Sequence, residues 1–208
     1  MNTGGESDDA TCGGKEIAAV MHPYSRDLVQ GCSHYAEMAK SAKFPQETLM
    51  HNTACVLFGA SSIEAKLNER VSMAKLVLEG DKAGFWSVMA SMKQGLSLQQ
   101  KWNLIASHEG GTLWDSGKEP FQSFETVASL RNELVHYKGE FLPKDKAPVN
   151  RISGLMQLLG VKSNATFVED DCSAWIHDLL TCRELGGWVS KKISDLDAQF
   201  DVLVGGRT

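Results

Sequence analysis

The chain has 208 residues, of which 42% are hydrophobic, and this is enough for one sizeable core without division into several domains. Its formal net charge is −5, which argues against broad nonspecific binding of nucleic acid, because such binding normally needs a basic surface. The cysteines are odd in number and lack C-x-x-C spacing, so they predict reduced thiols in a cytoplasmic protein. No apolar run reaches the roughly 20 residues that cross a bilayer, so no membrane partner is expected.

The first part of the chain is predicted to be a tail followed by two helices. Residues 1–15 are rich in Gly, Ser and Asp, and this composition predicts a flexible N-terminal tail. A helix is predicted over residues 24–43. Pro45 then begins a second, longer helix, because proline is favoured in the first helical turn. Apolar residues recur along that helix at spacings of three and four as far as Gly80, which is expected to cap its end.

Two shorter helices and a loop are predicted next. Asp81 opens a helix that runs to Lys93, and Ser97 is a favourable N-cap for another helix that runs to His108. The loop over residues 109–118 contains three glycines and leads into the following helix.

The last part of the chain also has the pattern of helices. A short helix is predicted over residues 149–159, where Gly160 ends it, and a final helix runs from residue 171 towards residue 200. Gly186 and Gly187 predict a kink or break in that final helix.

The fold class that follows is all-α. No alternation of period two predicts a strand in any part of the sequence. We therefore expect a single helical domain over residues 16–208.

The side chains best suited to catalysis or phosphate binding lie in the segment Leu130-Arg131-Asn132-Glu133-Leu134-Val135-His136. At about 100° per residue, one apolar group on its helix spans roughly 80° and a second group lies to one side of it. The first group contains Val127, Leu130, Leu134, Tyr137 and Phe141, and the second contains Phe121, Phe124, Ala128 and Val135. Arg131 is expected in the gap between these groups, where its charge needs a carboxylate or a phosphate.

Glu64 is our predicted partner for Arg131. It lies about 40° from Ala60 on the second helix, beside the apolar stripe, and is therefore expected to be partly buried. The alternative is that Glu64 pairs with Lys66, Asn68 or solvent.

Arg131 and His136 combine a permanent cation with a side chain that exchanges protons near neutral pH. On an undistorted helix they diverge by about 140°, whereas Asn132 and His136 share a face. This divergence favours a site assembled from two copies of the helix over a site built from one.

The segment 130–136 resembles the Arg-x-x-x-x-His signature of HEPN domains, in which the second position is often a polar residue such as asparagine. The likeness extends more weakly to residues 62–69, Ser-Ile-Glu-Ala-Lys-Leu-Asn-Glu, and to residues 98–102, Leu-Gln-Gln-Lys-Trp. It covers roughly residues 46–141. The resemblance implies an antiparallel HEPN-like core of about four or five helices with extra terminal helices.

The same resemblance implies a metal-independent endoribonuclease whose active site forms across a homodimer. Arg131 would hold the scissile phosphate, and His136 would act as general acid or base at the ribose 2′-hydroxyl or the leaving oxygen. Asn132 would help to position either group. Tyr137 and Lys138 would support the site, with Lys138 adding positive charge to the cleft. No metal and no cofactor is implied.

The implied partners are an RNA substrate, a second copy of the chain, and an antitoxin or another protein, as in toxin–antitoxin and phage-defence systems. In one branch of the family a tyrosine lies two positions after the histidine. Lys138 holds that position here and Tyr137 adjoins the histidine, so the chain departs from that branch. The alternative function is a non-catalytic HEPN-like helical module that binds RNA, nucleotide or a protein partner.

Overall fold

A computed structural model describes residues 22–77, 81–92, 94–136, 150–162 and 175–205 of the chain. Within these ranges the secondary structure consists of eight α-helices, and no strand is present among the residues described. The predicted all-α class is therefore confirmed. The predicted tail over residues 1–15 and the expected cap at Gly80 lie outside the described residues.

The helices are numbered in chain order. They are α1 (Tyr24–Ser41), α2 (Pro45–Val77), α3 (Asp81–Met92), α4 (Leu98–Glu109), α5 (Phe121–Val135), α6 (Asn150–Leu158), α7 (Trp175–Leu180) and α8 (Arg183–Gly205). The predicted helix starts at Tyr24, Pro45 and Asp81 are confirmed. Ser97 is the N-cap of α4, and it forms a capping box with Gln100.

Three helices, α1, α2 and α8, form the centre of the bundle. Small residues on α1 allow close packing, because Cys32, Ala36 and Ala39 are almost completely buried there. The opposing faces of α2 and α8 supply larger aliphatic side chains, among them Ile63, Leu67, Val71, Leu185, Val189, Ile193 and Leu196. These residues belong to one continuous hydrophobic core that also includes side chains of α3 to α7.

Aromatic side chains join α4, α5 and α8 to this centre. The Trp102 and Phe121 ring centroids lie 5.1 Å apart in an edge-on arrangement, and the Trp102 and Phe200 centroids lie 5.5 Å apart. Trp114 packs against Phe121 from the α4–α5 loop, with 4.7 Å between ring centroids. The N-terminal half of α5 is therefore held firmly in the bundle.

Buried polar groups also define where helices meet. The Asn52 side-chain amide on α2 donates to the backbone oxygens of Leu180 and Cys182, at 2.7 and 2.8 Å, where α7 ends. At the other end of α2, the Glu69 carboxylate accepts from the backbone N–H of Ser25 at 2.7 Å, in the first turn of α1. Each bond satisfies groups that a helix end leaves without an intrahelical partner.

The predicted break at Gly186 and Gly187 is wrong in its position. The chain turns instead at Thr181 and Cys182, between α7 and α8, and both glycines lie inside α8. Gly186 is needed for packing, since a Cβ at this position would lie 2.8 Å from Asn52 Oδ1 and 3.0 Å from Ala36 Cα. The missing side chain lets three helices approach closely.

Candidate active site at the end of α5

Helix α5 presents one buried face to the bundle and one end to solvent. Val127 and Leu130 of the first predicted apolar group and Phe121 and Phe124 of the second are all buried, so both groups pack over the first turns. Towards the C-terminus the burial fades: Leu134 is half-buried and Val135 is 50% exposed. Val135 is therefore the member of the second predicted group that does not pack as expected.

His136 lies at the end of α5 as its C-cap residue. Its backbone N–H donates to the backbone oxygen of Asn132 at 2.9 Å. Its φ of −109° and ψ of 23° lie outside the helical range. The side chain is exposed. Among the described residues, none makes a hydrogen bond or an ion pair with the imidazole. Tyr137 and Lys138, the expected supporting residues, lie outside the described part of the chain.

Arg131 and Asn132 are directly linked. The Arg131 Nη1 donates to Asn132 Oδ1 at 3.0 Å, with Arg131 half-buried and Asn132 exposed. Within the described ranges, no carboxylate oxygen lies within 4 Å of the guanidinium. Because a guanidinium has five N–H donors, several remain for a ligand. The structure thus links the Arg131 and Asn132 side chains and places His136 at the end of the same helix, with no described contact between its side chain and theirs.

Glu64 does not pair with Arg131. Its carboxylate is exposed, contrary to the expected partial burial, and its Oε1 lies 3.8 Å from the Nζ of Lys101 on α4. The reason is that α4 packs across this part of α2 and brings its own cation. Of the alternatives expected for Glu64, exposure to solvent agrees with its 59% exposed side chain, whereas its described ion pair is with neither Lys66 nor Asn68.

Lys101 is the residue that sequence reasoning missed. Only 4% of it is exposed, and its Nζ donates to Asn68 Oδ1 at 3.0 Å. A signal was available, because Lys101 is four positions before Ile105 and so lies on the apolar face of α4. A cation on such a face needs a buried polar partner, which Asn68 provides.

The α4–α5 loop contacts α5 away from the three site residues. Glu125 accepts hydrogen bonds from Trp114 Nε1, at 2.8 Å, and from the Ser116 hydroxyl. The Nη2 of Arg151, in the first turn of α6, lies 2.6 Å from the other Glu125 oxygen. A cavity of about 500 Å³ is lined by this loop and does not include Arg131, Asn132 or His136. His108, near the end of α4, stacks on Phe85 with 4.0 Å between ring centroids.

In the part of the chain that the structure describes, no three His, Cys, Asp or Glu side chains come together as potential metal ligands. None of the described helices is long and apolar enough to span a bilayer.

Comparisons with family models, with curated proteins and with solved structures give no match to this chain. Function must therefore be argued from the geometry and chemistry of the site itself.

Proposed function

We propose that this chain is a metal-independent endoribonuclease of the HEPN type, with an active site assembled from two copies of α5. The observation that supports the proposal most directly is the grouping at the end of α5. There the Arg131 guanidinium is held by Asn132, and the His136 imidazole is open to solvent five positions further on. A phosphate-binding cation and a proton carrier are what cleavage of RNA through its own 2′-hydroxyl requires.

The proposed reaction is an internal transesterification. The His136 imidazole accepts the proton of the ribose 2′-hydroxyl as its oxygen attacks the adjacent phosphorus. The bond from phosphorus to the 5′-oxygen breaks, that oxygen receives a proton from water, and the protonated His136 then returns its proton to the resulting hydroxide. The products are a 2′,3′-cyclic phosphate and a 5′-hydroxyl end, and the Arg131 guanidinium stabilises the charge on the phosphate oxygens.

Two features of the chain support an active site that combines residues from two copies of α5. The first is that Arg131 and His136 point in different directions around α5, so that one helix presents them poorly to a single phosphate. The second is the net charge of −5, because a cleft with two Arg131 side chains concentrates positive charge that the chain otherwise lacks. As part of this proposal the enzyme acts in the cytoplasm in a toxin or phage-defence role, and the free thiols of Cys32, Cys55 and Cys182 are compatible with that compartment.

The test uses purified protein and a mixture of structured and unstructured RNA in the presence of EDTA. We expect cleavage that yields cyclic phosphate ends, and we expect Arg131→Ala and His136→Ala each to lower its rate by about 10²–10⁴-fold. Arg26→Ala and His34→Ala are matched controls, since both residues are exposed on α1. Equal cleavage by wild-type protein and all four variants would contradict the proposal, and so would absence of cleavage by the wild type.

A second candidate function is a non-catalytic module that binds RNA through the same residues. It is favoured by one observation, namely that no described side chain orients the His136 imidazole, whereas general bases are normally oriented by a third group. In that case the wild type binds RNA without cleaving it. Binding measured by fluorescence anisotropy would then fall for Arg131→Ala and stay unchanged for His136→Ala.

A further inference from the structure

Two buried cysteines face each other where α1 packs on α2. The Cys32 and Cys55 sulfurs are 3.5 Å apart, and both side chains are almost completely inaccessible, with exposed fractions of 1% and 0%. The two residues are 23 positions apart in sequence, on consecutive helices. Neither sulfur is in a disulfide.

The surroundings keep the two sulfurs in place. A Cβ at Gly59 would lie 3.1 Å from the Cys32 sulfur, so the backbone of α2 closely confines that side chain. The Cys55 thiol also lies 3.6 Å from the backbone oxygen of Gly186 on α8. The remaining sulfur-to-sulfur gap exceeds a disulfide bond by about 1.5 Å, a distance that small rotations of two side chains can close.

The reduced form is the resting state of the pair. The hydrogen bond with Cys32 and then burial raise the pKa of the Cys55 thiol well above its ordinary value. Because the thiolate is the reactive form of cysteine, the pair reacts slowly with oxidants.

We propose that Cys32 and Cys55 form a redox-responsive pair, which hydrogen peroxide converts into a disulfide that links α1 to α2. In the first step one sulfur attacks a peroxide oxygen, the O–O bond breaks, and a sulfenic acid and water are formed. In the second step the other thiol attacks the sulfenic sulfur, the S–O bond breaks, and a second water leaves. Both thiol protons depart in these waters, and the peroxide is the species reduced.

The disulfide would covalently link α1 to α2, two of the three central helices. Closing this loop restricts the unfolded chain, so the oxidised protein resists unfolding more than the reduced protein does. The inference does not depend on the proposed nuclease function, because it rests on α1 and α2 alone.

The experiment uses the full chain with Cys12, Cys172 and Cys182 replaced by alanine, which leaves the pair as the only thiols. Folded protein is incubated with hydrogen peroxide, and samples are taken for intact mass, peptide mapping and thermal unfolding. We expect a mass lower by two hydrogen atoms, a peptide that joins Cys32 to Cys55, and a melting temperature higher by about 5–10 °C.

The wild-type chain and a single-thiol variant serve as controls. Peptide mapping of the peroxide-treated wild type should show the same linked peptide, and this holds even where the triple replacement weakens folding. Cys55→Ala in the triple background should show neither the mass loss nor the rise in melting temperature. Oxidation that stops at sulfinic acid on one cysteine, or a linked peptide found only after denaturation, would overturn the proposal.

Discussion

Arg131 keeps a permanent charge half-buried at the end of α5, and its described contact is with the neighbouring amide. The sequence predicts Arg131, Asn132 and His136 as candidate site residues, because residue type and spacing can be read from one helix. It was not sufficient to name the partner of Arg131. A helical pattern gives the direction of a side chain around its own axis but does not say which other helix lies opposite, and at Glu64 that helix is α4 with Lys101.

Substitution of Asn132 tests whether its contact with Arg131 affects RNA binding. In Asn132→Asp a carboxylate would replace the amide oxygen that accepts from Arg131, and this carboxylate would compete with a substrate phosphate for the guanidinium. We expect the substrate KM to rise by about tenfold or more. Asn132→Ala leaves the guanidinium unpaired but available, so its KM should rise less. An equal KM for both variants would show that the contact plays no part in RNA binding.

At the scale of whole helices, local signals predicted most boundaries correctly. Pro45 and the Ser97 capping box act within a single turn, so the start of each helix follows from adjacent residues. The end of α7 and the course of α8 could not be predicted in this way. A glycine pair inside a helix pattern reads as a break, but here the close approach of α1 and α2 to α8 decides the role of Gly186.

The glycine pair therefore allows a matched comparison. Gly186→Ala would place a methyl group 2.8 Å from Asn52 Oδ1, so we expect it to lower the free energy of unfolding by about 1–3 kcal/mol. Gly187 is exposed, with open space around a Cβ, and Gly187→Ala should raise the free energy by about 0.5–1 kcal/mol. Urea unfolding followed by circular dichroism measures both values. The same sign for the two variants would refute this account of α8.

At the scale of the whole molecule, the site lies at the rim of a tightly packed bundle. The central helices α1, α2 and α8 do not contribute the three site residues, which all come from the end of α5. The prediction of one helical core is confirmed, because the amphipathic pattern of each helix determines which face is buried. Whether a second copy completes the site depends on a surface between molecules, and no pattern within one chain specifies that surface.

Mixing two inactive variants tests the shared site. Arg131→Ala and His136→Ala proteins are combined, partly unfolded in urea, and refolded together so that subunits exchange. We expect the mixture to recover RNA cleavage, because each mixed dimer holds one Arg131 and one His136 in its common cleft. Each variant refolded alone is the control. Light scattering that shows only monomers, or a mixture as inactive as its components, would rule out a site shared between copies.

The position of α8 beside α1 also has a consequence for how the protein is made. Ser33 on α1 and Ser190 on α8 share a hydrogen bond of 3.0 Å, although 157 positions separate them. At the usual pace of translation, about 5–20 residues per second, a nascent α1–α2 hairpin waits on the order of ten seconds for this third helix. During that interval the apolar face that α8 later covers is open to chaperones and to other nascent chains. The rate of translation therefore limits how soon α8 can pack on α1 and α2 and complete this core.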